Sequence, residues 1–283
     1  MELTSSSSED KRPQFGNRLL TDADDVFEHN AWDNVEWTEE QRAAARCKVA
    51  EAAENRVDDS SRKHYEDEAA NYWDKFYDVH TNRFFKDRHW LFTEFPELLP
   101  QNQQTDSPNG THPGGNDLEK AAESYPGQGA RYRVFEMGCG VGNTIFPLLL
   151  INKNPDLHVY CADFSPKAIE VLSSHKDLDR ARCTPFVCDA TAEDWGTPFP
   201  EESLDVILFI FVLSTISPEK FEHIARKSFK YLKPGGLLLF RDYGRFDMAQ
   251  LRFKKGKCLD DNFYVRGDGT RSYFFTQGNY RKL

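Results

Sequence analysis

Three glycines in the run Glu136-Met-Gly-Cys-Gly-Val-Gly-Asn143 are spaced to bring backbone close against a ligand. Gly138, Gly140 and Gly142 follow an apolar stretch at 132–137 and precede another at 144–150. A strand, a glycine turn and a helix N-terminus together make a nucleotide cradle. Glycine permits close approach, and the helix end offers unpaired N–H groups. A dinucleotide site needs G-x-G-x-x-G around a pyrophosphate. Here Asn143 stands where the last glycine would fall, which leaves G-x-G-x-G. That spacing suits the neutral ribose and amino acid of S-adenosylmethionine rather than a phosphate. On the glycines alone, an ordinary tight strand-to-helix turn remains the alternative.

Two acids narrow the choice. His158-Val-Tyr-Cys-Ala-Asp163 reads as a second strand ending in a carboxylate, at the distance expected of a ribose ligand. One carboxylate can accept from both ribose hydroxyls. Pro185-Phe-Val-Cys-Asp189 reads as a third strand with the same ending, and in methyltransferases this position faces the adenine amino group. A lone terminal Asp is usually a solvated turn residue. Two after consecutive strands, beside a glycine loop, point to a site.

The elements that must hold these residues are legible as a series. The run 204–213 is apolar almost throughout, as a central parallel strand should be. Lys233-Pro-Gly-Gly236 reads as a turn and 237–240 as a fifth strand, with helices over 166–175 and 218–232. Alternating strands and helices imply an α/β, doubly wound, Rossmann-like parallel sheet. Ligands of such sheets lie at the carboxyl ends of the strands, where Gly138, Asp163, Asp189 and Ile210 fall.

Composition fits one globular domain with appendages: 283 residues, 39% hydrophobic, with a net charge of −10. No apolar run is long enough to span a bilayer, so no membrane role is expected. The polar, acidic N-terminus reads as neither a signal nor a transit peptide, and the expected compartment is the cytoplasm. The six cysteines form no C-x-x-C pair and read as reduced thiols, with no metal site. Expected boundaries are a disordered tail over 1–20, an N-terminal RNA-binding and lid region over 21–99, with helix over 38–70, and a flexible linker over 100–130. A methyltransferase domain over 131–277 and a divergent tail over 278–283 complete the chain.

The N-terminal region carries two aromatic strings. In Asn71-Tyr-Trp-Asp-Lys-Phe-Tyr77, Trp73 and Tyr77 are four apart and share a helix face. Such a stripe is more often core than lid, and both readings stay open from the residues alone. In Arg83-Phe-Phe-Lys-Asp-Arg-His-Trp90, Phe85, Lys86, Arg88 and His89 interleave rings and cations, which suits phosphate contact and base stacking. A turn docked on the sheet is the plainer reading. A net negative chain must bind RNA through local patches, and two more candidates are Arg241 with Arg245, and Lys254, Lys255 and Lys257. A lysine run is most often just a solvated face.

These strings, together with His29-Asn-Ala-Trp-Asp-Asn-Val-Glu-Trp37, Ile210-Phe-Val-Leu-Ser214, Phe240-Arg-Asp-Tyr-Gly244 and Phe263-Tyr-Val-Arg-Gly-Asp-Gly-Thr-Arg-Ser-Tyr-Phe-Phe275, resemble the tRNA 3-methylcytidine methyltransferases, cytosolic threonine/arginine branch. The resemblance covers nearly all the chain except residues 1–10 and 100–130. It implies a class I S-adenosylmethionine-dependent fold with an N-terminal helical extension. It also implies cofactor contacts from Trp73, Tyr77, Gly138, Asp163, Asp189, Ala190 and Ile210, which moves the Trp73–Tyr77 stripe toward a lid. The implied product is 3-methylcytidine at position 32 of the tRNA anticodon loop, with a synthetase or an anticodon-binding-like protein as a possible helper. Only 39 residues follow Gly244, so the last antiparallel strands of the sheet are expected to be missing and the chain to be C-terminally truncated.

The implied chemistry makes modest demands. N3 of cytosine carries a lone pair at neutral pH and needs no strong base. Alignment of nucleophile, methyl carbon and sulfur can supply roughly 7–11 kcal/mol. The absence of an Asn/Asp-Pro-Pro-Tyr motif after strand four agrees, since that motif serves exocyclic amines. The product ring is cationic, and Asp242 is the candidate carboxylate to face it. Two rival readings stay open: a non-catalytic cofactor- or partner-binding form, and a methyltransferase for small molecules or proteins.

Overall fold

The computed structural model describes residues 37–100 and 124–276, with the isolated positions 19, 21, 22 and 278. The expected tail over 1–20, most of the linker over 100–130, the string at 29–36 and the tail after 278 lie outside the described residues.

Strands β1 (Tyr132–Met137), β2 (Leu157–Asp163), β3 (Cys183–Val187), β4 (Leu204–Ile210) and β5 (Leu232–Arg241) form one parallel sheet in the order β3-β2-β1-β4-β5. Their side chains alternate between two cores. Phe135, Met137, Ile207 and Phe209 share one cluster, while Val134, Val206 and Leu208 share the other. Burial on both faces is why these strands read as unbroken apolar runs. Helices α5 (Ile145–Ile151), α6 (Pro166–Ser173) and α7 (Phe221–Tyr231) connect them. Ser165 caps α6 by accepting from the Ala168 N–H.

The limits of β3, β4 and β5 differ from the sequence reading. β3 starts and stops two residues early, so Asp189 lies in the loop beyond it. β4 stops at Ile210 because Phe211 turns into the left-handed region, with φ 57°. β5 runs straight through Lys233-Pro-Gly-Gly236, because a register shift between Leu204 and Val206 accommodates the extra residues as a bulge. Proline is tolerated in a sheet at such a place. Among the described residues β5 pairs only with β4, and Leu237 and Leu238 on it are exposed.

The N-terminal region folds onto this sheet as α1 (Glu39–Ala53), α2 (Asp59–Asp67), α3 (Ala69–His80) and the single turn α4 (Leu91–Glu94). The expected helix over 38–70 is thus broken, and each piece has its own cap. Thr38 and Gln41 make a capping box on α1, and Asp58 accepts from Ser61 N–H on α2. After β5, the short antiparallel strands β6 (Cys258–Asp260), β7 (Phe263–Val265) and β8 (Arg271–Tyr273) form a second sheet that the sequence did not announce. Its Phe263, Val265 and Tyr273 join the same core cluster as α7, on one face of the main sheet. Leu91, Phe92 and Leu98 join the opposite cluster.

All six cysteines are unbridged thiols, and all but the exposed Cys47 are buried. Cys161 Sγ lies 3.7 Å from Cys183 Sγ on the neighbouring strand. Burial pushes the Cys139 thiol up to about 11 and that of Cys188 up to about 12.

Candidate functional site

A cavity of about 340 Å³ opens at the carboxyl ends of β1, β2 and β4, roofed by α3. Its floor is the glycine loop. Gly138 has φ 71°, and a β-carbon there would lie 2.2 Å from Val212 Cγ2. Gly140 has φ 52°, and its β-carbon would lie 2.7 Å from the Tyr77 hydroxyl. Both positions therefore need glycine on two counts, conformation and space.

Asp163 lines the cavity and is buried. Its Oδ2 accepts from Gly140 N–H at 2.9 Å and its Oδ1 from Ser165 N–H at 3.0 Å. The acid thus holds the glycine loop in shape as well as facing the ligand space. Burial pushes its carboxyl up to about 6, against the pull of those N–H groups. Asp189 lines the cavity too, with Oδ1 accepting from Thr191 N–H and the Thr191 hydroxyl, both at 2.8 Å. Ala190 beside it is buried and also faces the cavity. The side chain of Ile210 packs in the core, and Phe211 and Val212 line the cavity in its place.

Trp73 and Tyr77 prove to be roof and core at once. Their rings stand 5.8 Å apart over the glycine loop. Phe76 and Tyr77 pack with Val141 of that loop and Ala168 of α6. The Ser165 hydroxyl donates to Asp74, which ties α3 to the loop after β2.

The segment 84–90 divides by function. Phe85 and Arg88 face the cavity, while Lys86 and His89 are exposed. Arg88 clasps the glycine loop. Its N–H donates to the Asn143 carbonyl at 2.9 Å, and its guanidinium reaches Thr144 Oγ1 at 3.0 Å and Glu136 Oε1 at 3.4 Å. Asn143 answers by donating to the Phe85 carbonyl and to Asp87. Glu136 is wholly buried, with Oε2 unpartnered, and burial lifts its carboxyl to about 7. Arg88 is thus engaged inward, with the glycine loop and Glu136.

The remaining basic candidates do not line the cavity. Arg241 pairs with Glu94 at 3.1 Å and lies over the Trp90 ring at 4.7 Å. Arg245 is exposed. Lys254 and Lys255 are exposed, Lys257 is half-buried, and Lys255 pairs with Glu54. Asp242 does not line the cavity. It accepts from Ser214 N–H at 2.8 Å and from its neighbour Tyr243 N–H at 2.9 Å, and burial pushes it up to about 6. It sets the turn after β4, and Tyr243 is the residue that reaches the cavity.

Several cavity residues escaped the sequence reading. Phe211, Tyr243, Arg266, Asp268 and Arg271 line the cavity as well. Arg266 and Asp268 sit in the β7–β8 turn, where Gly269 lets the backbone press on the Tyr72 ring of α3. Their signal was the charged Arg-Gly-Asp-Gly-Thr-Arg run between two short apolar stretches. Arg271 is buried, pairs with Glu66, and is pushed down to about 10 by desolvation. Among the described residues no cluster of His, Cys, Asp or Glu could hold a metal ion.

Glycine floor, carboxylate wall and aromatic roof suit a nucleoside that carries positive charge, because ring faces attract cations and carboxylates accept from ribose. The outer rings offer stacking surfaces to a second, planar ligand.

Comparison with known proteins agrees. A family model described as a methyltransferase domain matches residues 135–238. The chain is 53% identical to the tRNA N(3)-cytidine methyltransferase METTL2 of Xenopus tropicalis, over 97% of this chain and 84% of that protein. It is 51% identical to the Mus musculus protein of the same name, over 96% and 80%. It is 39% identical to the Saccharomyces cerevisiae tRNA(Thr) (cytosine(32)-N(3))-methyltransferase, over 95% of this chain and 40% of that one.

Proposed function

The chain belongs to the tRNA N(3)-cytidine methyltransferase family, and we propose that its cavity methylates N3 of a cytidine in the tRNA anticodon loop, at position 32. It is an S-adenosylmethionine-dependent enzyme that forms 3-methylcytidine. The cofactor supplies an electrophilic methyl group on a sulfonium.

The chain's own residues do the rest. Asp163 would accept from the ribose hydroxyls, and Asp189 and Ala190 would border the adenine. Gly138 and Gly140 would let the backbone close on the amino-acid portion. Trp73 and Tyr77 would cover the charged sulfur and keep water from it. The target base enters past Phe85, Phe211 and Tyr243, whose rings stack on it once it has left its own strand. N3 needs no proton removed, so orientation carries the rate. Asp268, on the cavity wall, is better placed than Asp242 to face the cationic product ring.

The observation that carries this reading is the convergence of two ligand spaces in one cavity. The same cavity is lined by glycines and carboxylates (Gly138, Gly140, Asp163, Asp189) and by rings with arginine (Phe85, Phe211, Tyr243, Arg266). The net charge of −10 supports a protein helper that holds the tRNA. The test is mass spectrometry of ribonuclease fragments of tRNA, which keep the position of the methyl group, after incubation with S-adenosylmethionine and the purified chain, alone and with a cytoplasmic extract as helper source, against the extract alone. New 3-methylcytidine at position 32 is expected. Methylation elsewhere, or none despite bound cofactor in both arms, overturns the proposal.

A further inference from the structure

A second cavity shares no lining residue with the methylation site. Trp37, Arg42, Arg46 and residues 244–247 line it. Its centre is Phe246, held in the left-handed region at φ 71°. A bulky residue there is strained, and such strain persists only where the surroundings fix it. They do so here. Phe246 N–H donates to Gln250 Oε1 at 2.6 Å, and buried Gln250 is itself anchored by donating to Asn262 at 3.2 Å.

The strained backbone presents a ring to a surface that stacks. Trp37 lies on Phe246 with centroids 6.1 Å apart and planes 22° apart. The Arg245 guanidinium covers Phe246 at 4.7 Å. Arg42 and Arg46, one turn apart on α1, complete the wall, with Arg42 Nε donating to the Trp37 carbonyl at 3.2 Å. Two acids are close, but both are engaged. Glu39 pairs with Arg46, and Asp247 accepts from Ala249 N–H at 2.8 Å. Three arginines against these two leave the surface cationic.

We propose that Trp37, Phe246, Arg42 and Arg245 form a second nucleotide subsite that takes a stacked base and its phosphate from the same RNA strand that delivers the cytidine. This rests on the reading of the chain as a tRNA methyltransferase. Tyr243 lines the methylation cavity and Phe246 the second one, and three residues of chain span at most about 11 Å. A nucleotide close in sequence to the target reaches that far. Aromatic faces accept any base, and arginine forks match phosphate. The subsite therefore holds the strand in register rather than reading its sequence.

The test uses the full chain, unmodified tRNA and a salt titration. Phe246→Gly removes the ring while relaxing the backbone, so the fold is retained. It should weaken tRNA binding about five- to a hundred-fold and leave S-adenosylhomocysteine affinity unchanged. Phe246→Tyr, which keeps the ring, should bind tRNA as the parent does. Arg42→Ala with Arg245→Ala should lower the salt slope by roughly 0.7–0.9 for each phosphate that is no longer neutralised. Parent-like affinity in Phe246→Gly with an unchanged slope in the arginine pair overturns the subsite alone, provided the parent methylates tRNA. A parent chain that neither binds nor methylates tRNA overturns both this proposal and the reading beneath it.

Discussion

The Tyr77 hydroxyl stands directly over Gly140, 2.7 Å from where a β-carbon would project. Lid and loop are therefore fitted to each other at one atom. Helix α3 is part of the cavity wall rather than a neighbour of it.

Gly140→Ala should weaken S-adenosylhomocysteine binding by about 1–3 kcal/mol, through left-handed strain and the clash with Tyr77. Adding Tyr77→Phe should recover part of that deficit, because the clashing oxygen is gone. Calorimetry on the two single variants and the double measures the coupling. Strict additivity would mean that the lid does not touch the loop in solution.

Asp163→Ala should weaken cofactor binding by about 1.5–3 kcal/mol, the range for hydrogen bonds to a charged group. It should also lower the melting temperature, since Gly140 N–H and Ser165 N–H lose their acceptor. Asp163→Asn keeps an acceptor oxygen and should be milder on both counts.

Cofactor affinity in the parent should rise with pH between about 5 and 7. Asp163 is held up at about 6, and ribose hydroxyls donate to its ionised form. Binding then expels a proton below that value and becomes pH-independent above it. Calorimetry in buffers of different ionisation heat counts the proton. A flat profile would remove Asp163 from ribose recognition.

Arg88→Ala leaves the buried Glu136 carboxylate without its cation, and should destabilise the fold by up to about 3 kcal/mol at pH 8. Glu136 has its folded value raised to about 7 from 4.5. Its stabilising contribution is complete below about 4.5 and fades as the pH rises through about 7. The deficit of Arg88→Ala should accordingly shrink at pH 5, where Glu136 is neutral with or without the arginine. Glu136→Gln should rescue Arg88→Ala at pH 8. Denaturant melts at the two pH values decide this.

Changing Lys254, Lys255 and Lys257 to Ala together should flatten the salt dependence of tRNA binding by roughly 0.7–0.9 per phosphate set free, without altering cofactor affinity. Lys255 already pairs with Glu54, so its share should be the smallest. An unchanged slope returns all three to an ordinary solvated surface.

The cofactor half of the cavity was legible in the sequence because its signals are local. A glycine run fixes a turn, and an acid at a strand end faces the ligand. Gly138, Asp163, Asp189 and Ala190 accordingly line the cavity. The cavity residues of the β7–β8 hairpin were not legible, because they depend on elements too short for periodicity. β7 and β8 have three residues each, and a period of two cannot be read from three positions. Phe211 and Phe246 were hidden for another reason. Phenylalanine carries no mark of a left-handed backbone, and only the surrounding fold imposes it. Arg88 was read as a phosphate ligand from its company, since nothing in a linear string reveals that Glu136 waits beneath it.

The file of enclosed thiols gives this protein a built-in clock. Cys47 alone is open to an alkylating reagent, while the other five are buried, and burial suppresses the reactive anions of Cys139, Cys188 and Cys258. In a timed alkylation followed by mass spectrometry, the first adduct marks Cys47 and reports nothing about opening. Each later adduct dates the moment when a particular strand left the core. Cys139 would time the cofactor loop, Cys161 and Cys183 the β2–β3 edge, and Cys258 the small second sheet. A ligand that seats in the cavity should slow the Cys139 hand first.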